Sequence, residues 1–333
     1  MCAPFSSNRT AMYTTEQLIS KVNHAIEHLA LPSQPAQLYE PIRYTLAMGG
    51  KRIRPVLMLM AYNLYKEDVD SIMQQAVALE TYHNFTLLHD DLMDHAEMRR
   101  GIPCVHLKWD ENTAILSGDA MLILAYQLFT QPGTPQEAID TFNQATLGVC
   151  DGQQFDMDFE KRNDVQAEEY IDMIRLKTSL LLSCALKIGA QLAGANAEEA
   201  ESLRLFGEKL GLAFQLQDDL LDVYGNPAVF GKKIGGDIVE NKKTYMLISA
   251  LQLANAGQRK RLEKCLSQKK FDAEEKIFVV TSIYNELHIR ELCEEKINQY
   301  FDKAKQILND LPLDEDRKAP LRDFAHRLLK RKN

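Results

Sequence analysis

Apolar residues recur at intervals of three and four along almost the whole chain, whereas period-two alternation bounded by turn residues is hard to find. The pattern predicts a protein built almost wholly of helices. Residues 1–13 are polar and irregular and are expected to form a flexible N-terminal segment, with one helical domain over 14–333. Thr14 or Thr15 can cap a first helix whose apolar face is Leu18, Val22 and Ile26. After Pro32 and Pro35 a second helix carries Leu38, Ile42 and Leu46 and stops at Gly49 and Gly50. Pro55 suits the first turn of the next helix, where a missing N–H costs nothing. A long helix is predicted from Ser71 to His95, ended by the polar stretch Arg99, Arg100 and Gly101. Further helices are expected over 112–130, 136–160, 166–193, 197–224, 242–254, 258–267, 272–309 with a break, and 318–331. Turn residues at Gln131-Pro132-Gly133 and from Gly225 to Gly236 separate them.

Length and charge narrow what such a fold can do. The 333 residues exceed the usual range for one domain, but a helical protein with a single large core reaches this length. A formal net charge of −8 argues against nucleic acid as a partner, because binding it takes a basic surface that neutralises phosphates. The basic tail Arg327, Lys330, Arg331 and Lys332 reads as a solvated helix end rather than a membrane anchor. Cys2, Cys104, Cys150, Cys184, Cys265 and Cys293 show neither metal-ligand pairs nor a disulfide-like spacing, which fits a reducing cytoplasm. No run of about eighteen apolar residues exists, and no apolar signal segment opens the chain, so neither secretion nor stable membrane insertion is expected.

Two acidic motifs change the picture. In LLHDDLMD, Asp90 and Asp94 project from one helix face, with Asp91 about 100° away. In FQLQDDLLD, Asp218 and Asp222 repeat the register, with Asp219 beside them. Like charges at that spacing cost helix stability, and here they lie between leucines. A solvated acidic face explains one such motif; two, each in an apolar helix, call for cations. Carboxylate oxygens with no nearby Cys or His ligand set favour a hard ion such as Mg²⁺, which shares its coordination with water and substrate phosphates. The expected ligand is a diphosphate held between the two acidic helices through bridging metal. The segment GGKRIRP supplies the opposite charge. Its Lys51, Arg52 and Arg54 stand at a helix start, where free N–H groups and the dipole also favour anions. Arg99 and Arg100 follow Asp94 closely enough to flank the same pocket.

Together these residues resemble a known family, the trans-type prenyl diphosphate synthases, which include farnesyl and geranylgeranyl diphosphate synthases. The resemblance spans roughly residues 38–250 and rests on an ordered set: GGKRIRP, a histidine before DDxxD, RRG, GQQFD, KT, QxxDDxxD, GKKIGGD and NK. It implies an all-α fold of the isoprenoid synthase type, a single-domain helical bundle around a central active-site cavity. It also implies that Lys51, Arg54, His83 and Arg100 bind the diphosphate of isopentenyl diphosphate. Without the resemblance, His83 reads as an ordinary core or surface histidine. Arg99, Lys177, Lys232 and Lys242 would bind the allylic diphosphate, with Lys233 an alternative to Lys232. Asp90, Asp94 and Asp218 would be the strongest metal ligands, assisted by Asp91, Asp219 and Asp222. Gln153, Asp156, Thr178 and Gln215 would line the reacting carbon; each alone reads as polar filler on a helix.

The implied chemistry is chain elongation. About three Mg²⁺ ions, Arg99 and the lysines would stabilise charge on the departing diphosphate of an allylic substrate such as dimethylallyl, geranyl or farnesyl diphosphate. Isopentenyl diphosphate, held by the basic cluster, would attack the allylic cation, and the released diphosphate would take the proton. The growing tail needs an apolar tunnel, and the resemblance places its floor at Phe85 and Thr86. An ideal helical wheel instead sets Thr86 and Tyr82 below Asp90 and turns Phe85 away. A lone aromatic at Phe85 and an uninterrupted aspartate motif resemble the geranylgeranyl type, so a C20 product is expected, ahead of C15. The family is usually homodimeric, and the apolar helix from Asn112 to Phe129 suits either an interface or core packing. Two rivals are a terpene cyclase of the same fold and a non-catalytic subunit of a prenyl synthase. GGKRIRP opposes the first, and two intact aspartate motifs oppose the second.

Overall fold

The apolar periodicity resolves into helices with ordinary end chemistry. A computed structural model describes residues 12–225, 234–268 and 270–329. Helix α1 (Thr15–Glu27) starts in a capping box: the Thr14 hydroxyl accepts from the Gln17 N–H, and the Gln17 side chain accepts from the Thr14 N–H. Its buried face is the expected Leu18, Val22 and Ile26, with Thr15. Helix α2 (Ala36–Ala47) ends before the two glycines. In α3 (Ile53–Asn63) every side chain but Arg54 is buried. A 3₁₀ turn, Val69–Ile72, leads into α4 (Met73–Met93), which packs along α6 (Glu111–Phe129).

Two features depart from uniform helix. Met98–Arg99 (β1) and Ile102–Pro103 (β2) pair antiparallel, Arg99 opposite Ile102. Strands this short show no period-two signal, so the sequence shows only a polar break there. The turn between them has φ of +54° at Arg100 and +76° at Gly101, the twist that a two-residue hairpin loop takes. A four-residue helix α5, Val105–Lys108, follows. The second departure lies within the stretch 166–193, expected as one helix. It is α8 (Ala167–Ile174), a π turn Arg175–Ser179, then α9 (Leu180–Ala193). A wide turn adds one residue to an otherwise helical run, which composition does not reveal. The long helices α7 (Gln136–Glu160) and α10 (Ala197–Tyr224) match expectation. After the turn region come Gly236–Val239, Tyr245–Leu253, Ala256–Ser267, Ala273–Glu286, Ile289–Asp310 and Glu315–Leu329.

The chain forms two compact units. One holds the described residues of Met1–Phe142 with Ala185–Ala200 and Leu313–Leu321, and carries the basic segment and the first aspartate motif. The other holds those of Asn143–Cys184, Glu201–Pro312 and Arg322–Asn333, and carries the second motif. Its core gathers Tyr170, Leu216, Tyr245, Tyr284, Cys293 and Ile297. No described helix is long and apolar enough to cross a membrane.

Candidate active site

In the first unit, α4 ends on its aspartates: Asp90 is half-buried, Asp91 buried, and Asp94 the exposed cap whose N–H donates to the Asp90 carbonyl. Arg99, on the first hairpin strand, grips Asp91. Its Nε donates to Oδ1 and Oδ2 at 2.8 and 3.0 Å, its Nη2 also donates to Asp91, and Nη2 stands 3.9 Å from Asp90 Oδ2. Burial works against the guanidinium's charge, but the Asp91 hydrogen bond and the two carboxylates outweigh it and raise its pKa. Arg100, in the turn, points to different partners. Its Nη1 donates to the Gly49 carbonyl, and its guanidinium lies so close to Gly50 that a Cβ there would stand 2.7 Å from Nη2. A narrow cleft is lined by Thr45, Met48, Asn84, Asp91, Arg99 and Arg100 among others.

The basic segment divides its charges. Arg52 takes a left-handed conformation, φ +50°, and turns inward to pair with Glu80 at 2.8 Å, the two side chains only 3% and 2% exposed. It also donates to Asn23 Oδ1 and to the Leu46 carbonyl, both at 3.0 Å. Its charge is therefore spent on holding the segment to α1, α2 and α4. Lys51 is exposed. Arg54 Nη1 lies 2.9 Å from His83 Nε2; an arginine only donates, so His83 accepts there and is neutral. Burial, then Arg54, Arg100, Arg99 and Arg52 in turn, push its pKa well below the ordinary value.

Below the first motif, Tyr82 and Phe85 belong to an aromatic layer. Tyr82 is 1% exposed and meets Phe142 edge-on at 5.9 Å; Phe142 stacks on Phe129 at 4.3 Å. Phe85 lies 5.5 Å from Tyr82 and edge-on to His89 at 4.9 Å. Thr86 is half-buried, its hydroxyl donating to the His83 carbonyl at 2.8 Å.

In the second unit, the second motif ends α10. Asp219 is 2% exposed; Tyr170 donates to its Oδ2, and Gln215 Nε2 donates to its Oδ1 at 2.9 Å. Burial first, then the charge of Asp237, push Asp219 up to about 7, against Lys242, Tyr170 and Gln215. Asp222 Oδ2 accepts the Asp237 N–H at 3.0 Å, and Lys242 Nζ stands 4.0 Å from Asp237. Asp218 is half-buried beside them. Lys177 and Thr178 lie in the π turn: Lys177 Nζ pairs with Asp156 at 2.6 Å, and the Thr178 hydroxyl donates to Gln215 Oε1 at 2.9 Å. Two glycines seat this turn. A Cβ on Gly152 would stand 2.4 Å from the Lys177 nitrogen, and one on Gly211 2.7 Å from Ser179 Cα. Gln153 is half-buried on the same helix as Asp156. Lys232 and Lys233 lie outside the described residues.

Among the described residues, no three of His, Cys, Asp and Glu converge on one ion position. The donor chemistry still fits Mg²⁺, which needs few protein oxygens because water and phosphate complete its shell. Asp94 is exposed, and Asp90 and Asp218 are half-buried. Glu80, Asn23, Tyr170 and Phe142 do not stand out in the sequence as parts of these clusters, and Asp237 does so only as the last residue of GKKIGGD. A carboxylate one turn before His83 was the available signal for Glu80; none marked Tyr170.

The model of the polyprenyl synthetase family matches residues 35–286. This chain belongs to the polyprenyl synthetase family. The geranylgeranyl diphosphate synthase of Methanosarcina mazei is 40% identical over 237 residues, 70% of this chain and 73% of its own. The geranylfarnesyl diphosphate synthase of Natronomonas pharaonis is 38% identical over 250 residues, 69% and 73% of the two chains. A crystal structure of a geranylgeranyl pyrophosphate synthase superposes with a TM-score of 0.92 at 41% identity, covering 97% of this chain and 100% of that one. As a polyprenyl synthetase of the all-α isoprenoid synthase fold, the protein is a trans-prenyltransferase, as the motifs implied.

Proposed function

We propose that this enzyme uses Mg²⁺ to condense isopentenyl diphosphate with dimethylallyl, geranyl and farnesyl diphosphates, releasing diphosphate and giving mainly the C20 product. The observation that carries the reading is the hairpin turn. Arg99 reaches the aspartates while its neighbour Arg100 reaches the glycine loop beside Lys51, so adjacent residues serve regions of opposite charge.

On this reading Lys51, Arg54, His83 and Arg100 hold the isopentenyl diphosphate. Neutral His83 accepts from Arg54 at Nε2 and so keeps a proton for donation at Nδ1. Arg99, Lys177, Lys242 and Lys232 hold the allylic diphosphate. Bound Mg²⁺, held by Asp90, Asp94 and Asp218 with Asp91, Asp219 and Asp222, would supply positive charge for the leaving diphosphate. Asp156 orients the Lys177 ammonium, and Thr178 orients Gln215, so that a fixed charge and a fixed amide dipole stand beside the reacting carbon. Gln153 belongs to the same wall. Tyr82, Phe85 and Thr86 close the hydrocarbon tunnel.

The C20 assignment draws support from the Methanosarcina relative, while the Natronomonas relative carries a name one prenyl unit longer. Purified protein incubated with Mg²⁺, dimethylallyl and isopentenyl diphosphates, followed by chromatography of the dephosphorylated products, tests it. Geranylgeraniol should dominate, and a main product above C25 would overturn the floor. Phe85→Ala and Tyr82→Ala should lengthen the product. We further propose one catalytic domain over 14–333, a cytoplasmic location and a homodimer joined through α6, whose Ile115, Leu116 and Ile123 are 46%, 60% and 60% exposed.

A further inference from the structure

Tyr170 has no part in the roles above, yet its hydroxyl is committed to the second aspartate motif. The side chain is 1% exposed and sits on α8, just before the π turn. Its hydroxyl donates to one oxygen of Asp219, and the Gln215 amide donates to the other. Two neutral donors on opposite oxygens fix both the rotamer and the plane of the carboxylate. The Gln215 carbonyl is held in turn by Thr178, and the turn bearing Thr178 is seated against Gly152 and Gly211. Every link from the glycines to Asp219 is therefore specified.

Such an arrangement is a poor way to stabilise a core. A buried carboxylate with neutral partners carries a desolvation cost that apolar residues of the same volume would avoid. It is intelligible where one carboxylate must be held in one orientation for a ligand, as the partners of metal-binding side chains do. We propose that Tyr170 is a positioning residue that orients Asp219 for Mg²⁺ and diphosphate. This rests on the assignment of Asp219 to the metal in the proposed function.

The test uses the full chain with Mn²⁺ as a paramagnetic substitute and inorganic diphosphate as the anion, binding being read by electron paramagnetic resonance. Tyr170→Phe should weaken Mn²⁺ binding about tenfold and raise the Mg²⁺ needed for half-maximal rate by the same factor. The rate at saturating Mg²⁺ should stay within about threefold. Asp219→Asn should also weaken Mn²⁺, and the double variant should bind no worse than Asp219→Asn alone, because Tyr170 acts only through that carboxylate. If Asp219→Asn weakens binding and Tyr170→Phe changes only the melting temperature, the inference fails while the metal assignment stands. If Asp219→Asn leaves binding unchanged, both fail. Should Tyr170→Phe not fold, the double variant, which lacks the under-bonded carboxylate, decides: further loss relative to Asp219→Asn overturns the inference.

Discussion

The two aspartate motifs share one spelling and are held in two different ways. In the first, Asp91 is gripped by the charged Arg99, and Asp90 and Asp94 lie at or near the surface. In the second, Asp219 is buried between the neutral donors Tyr170 and Gln215, and Asp222 takes a backbone N–H. A cation and a set of dipoles solve the same problem, the repulsion of clustered carboxylates, with different consequences. A charge partner can exchange for another ion, whereas dipoles fix an orientation without supplying a compensating charge, and burial with Asp237 pushes Asp219 up to about 7. The first motif is thus tied to charge around it, and the second to the shape of its surroundings.

The largest effect should come from the charge scaffold of the first region. Arg52→Met leaves Glu80 buried without its ion partner and should cost about 3–5 kcal/mol in denaturant unfolding. Arg52→Met with Glu80→Leu should recover most of that loss, because the pair's desolvation cost disappears with it. A single variant as stable as wild type would show that the region does not depend on its buried charge. Next comes Arg99→Met, which should lower kcat about 10²–10³-fold if the guanidinium stabilises the leaving diphosphate. Arg99→Lys should rescue only part, since an ammonium cannot reproduce the fork on Asp91.

The second region should respond instead to volume. Gly152→Ala places a Cβ 2.4 Å from the Lys177 backbone nitrogen, where the obstacle is main chain rather than a movable side-chain end. It should cost about 1–3 kcal/mol and reduce activity as well, because the π turn carries Lys177 and Thr178. An unchanged melting temperature and rate would break the contrast between charge and shape.

That contrast also separates what the sequence reveals from what it hides. Helix periodicity and caps are local, so α1, α2 and α10 are legible from their apolar faces, and Gly49-Gly50 from its turn chemistry. The aspartates are legible because repulsion at four-residue spacing demands an explanation. Arg52 reads like Lys51 and Arg54, and only its left-handed backbone turns it to Glu80. Tyr170 reads as core, since the partner that gives its hydroxyl meaning lies on another helix. The helical wheel and the family pattern disagree over Phe85, and its two ring neighbours, Tyr82 and His89, lie on its own helix, so its placement against the tunnel is set by packing that neither pattern contains.

The smallest expected effect concerns His83. In the unfolded chain it titrates near its ordinary value of 6.5; in the folded protein, burial and the surrounding arginines hold it well below that. Above pH 6.5 both states are neutral and the histidine adds no pH dependence. As pH falls through 6.5 the unfolded chain takes up a proton that the folded protein refuses, so stability declines, by at most about 1.4 kcal/mol per pH unit. His83→Gln keeps an acceptor for Arg54 and cannot titrate. Denaturant melts of wild type and His83→Gln should run parallel from pH 7 to 8 and converge below pH 6.5 as wild type alone loses stability. Curves that stayed parallel down to pH 5 would mean that His83 takes its proton in the folded state, and the neutral acceptor assigned to Arg54 would have to be given up.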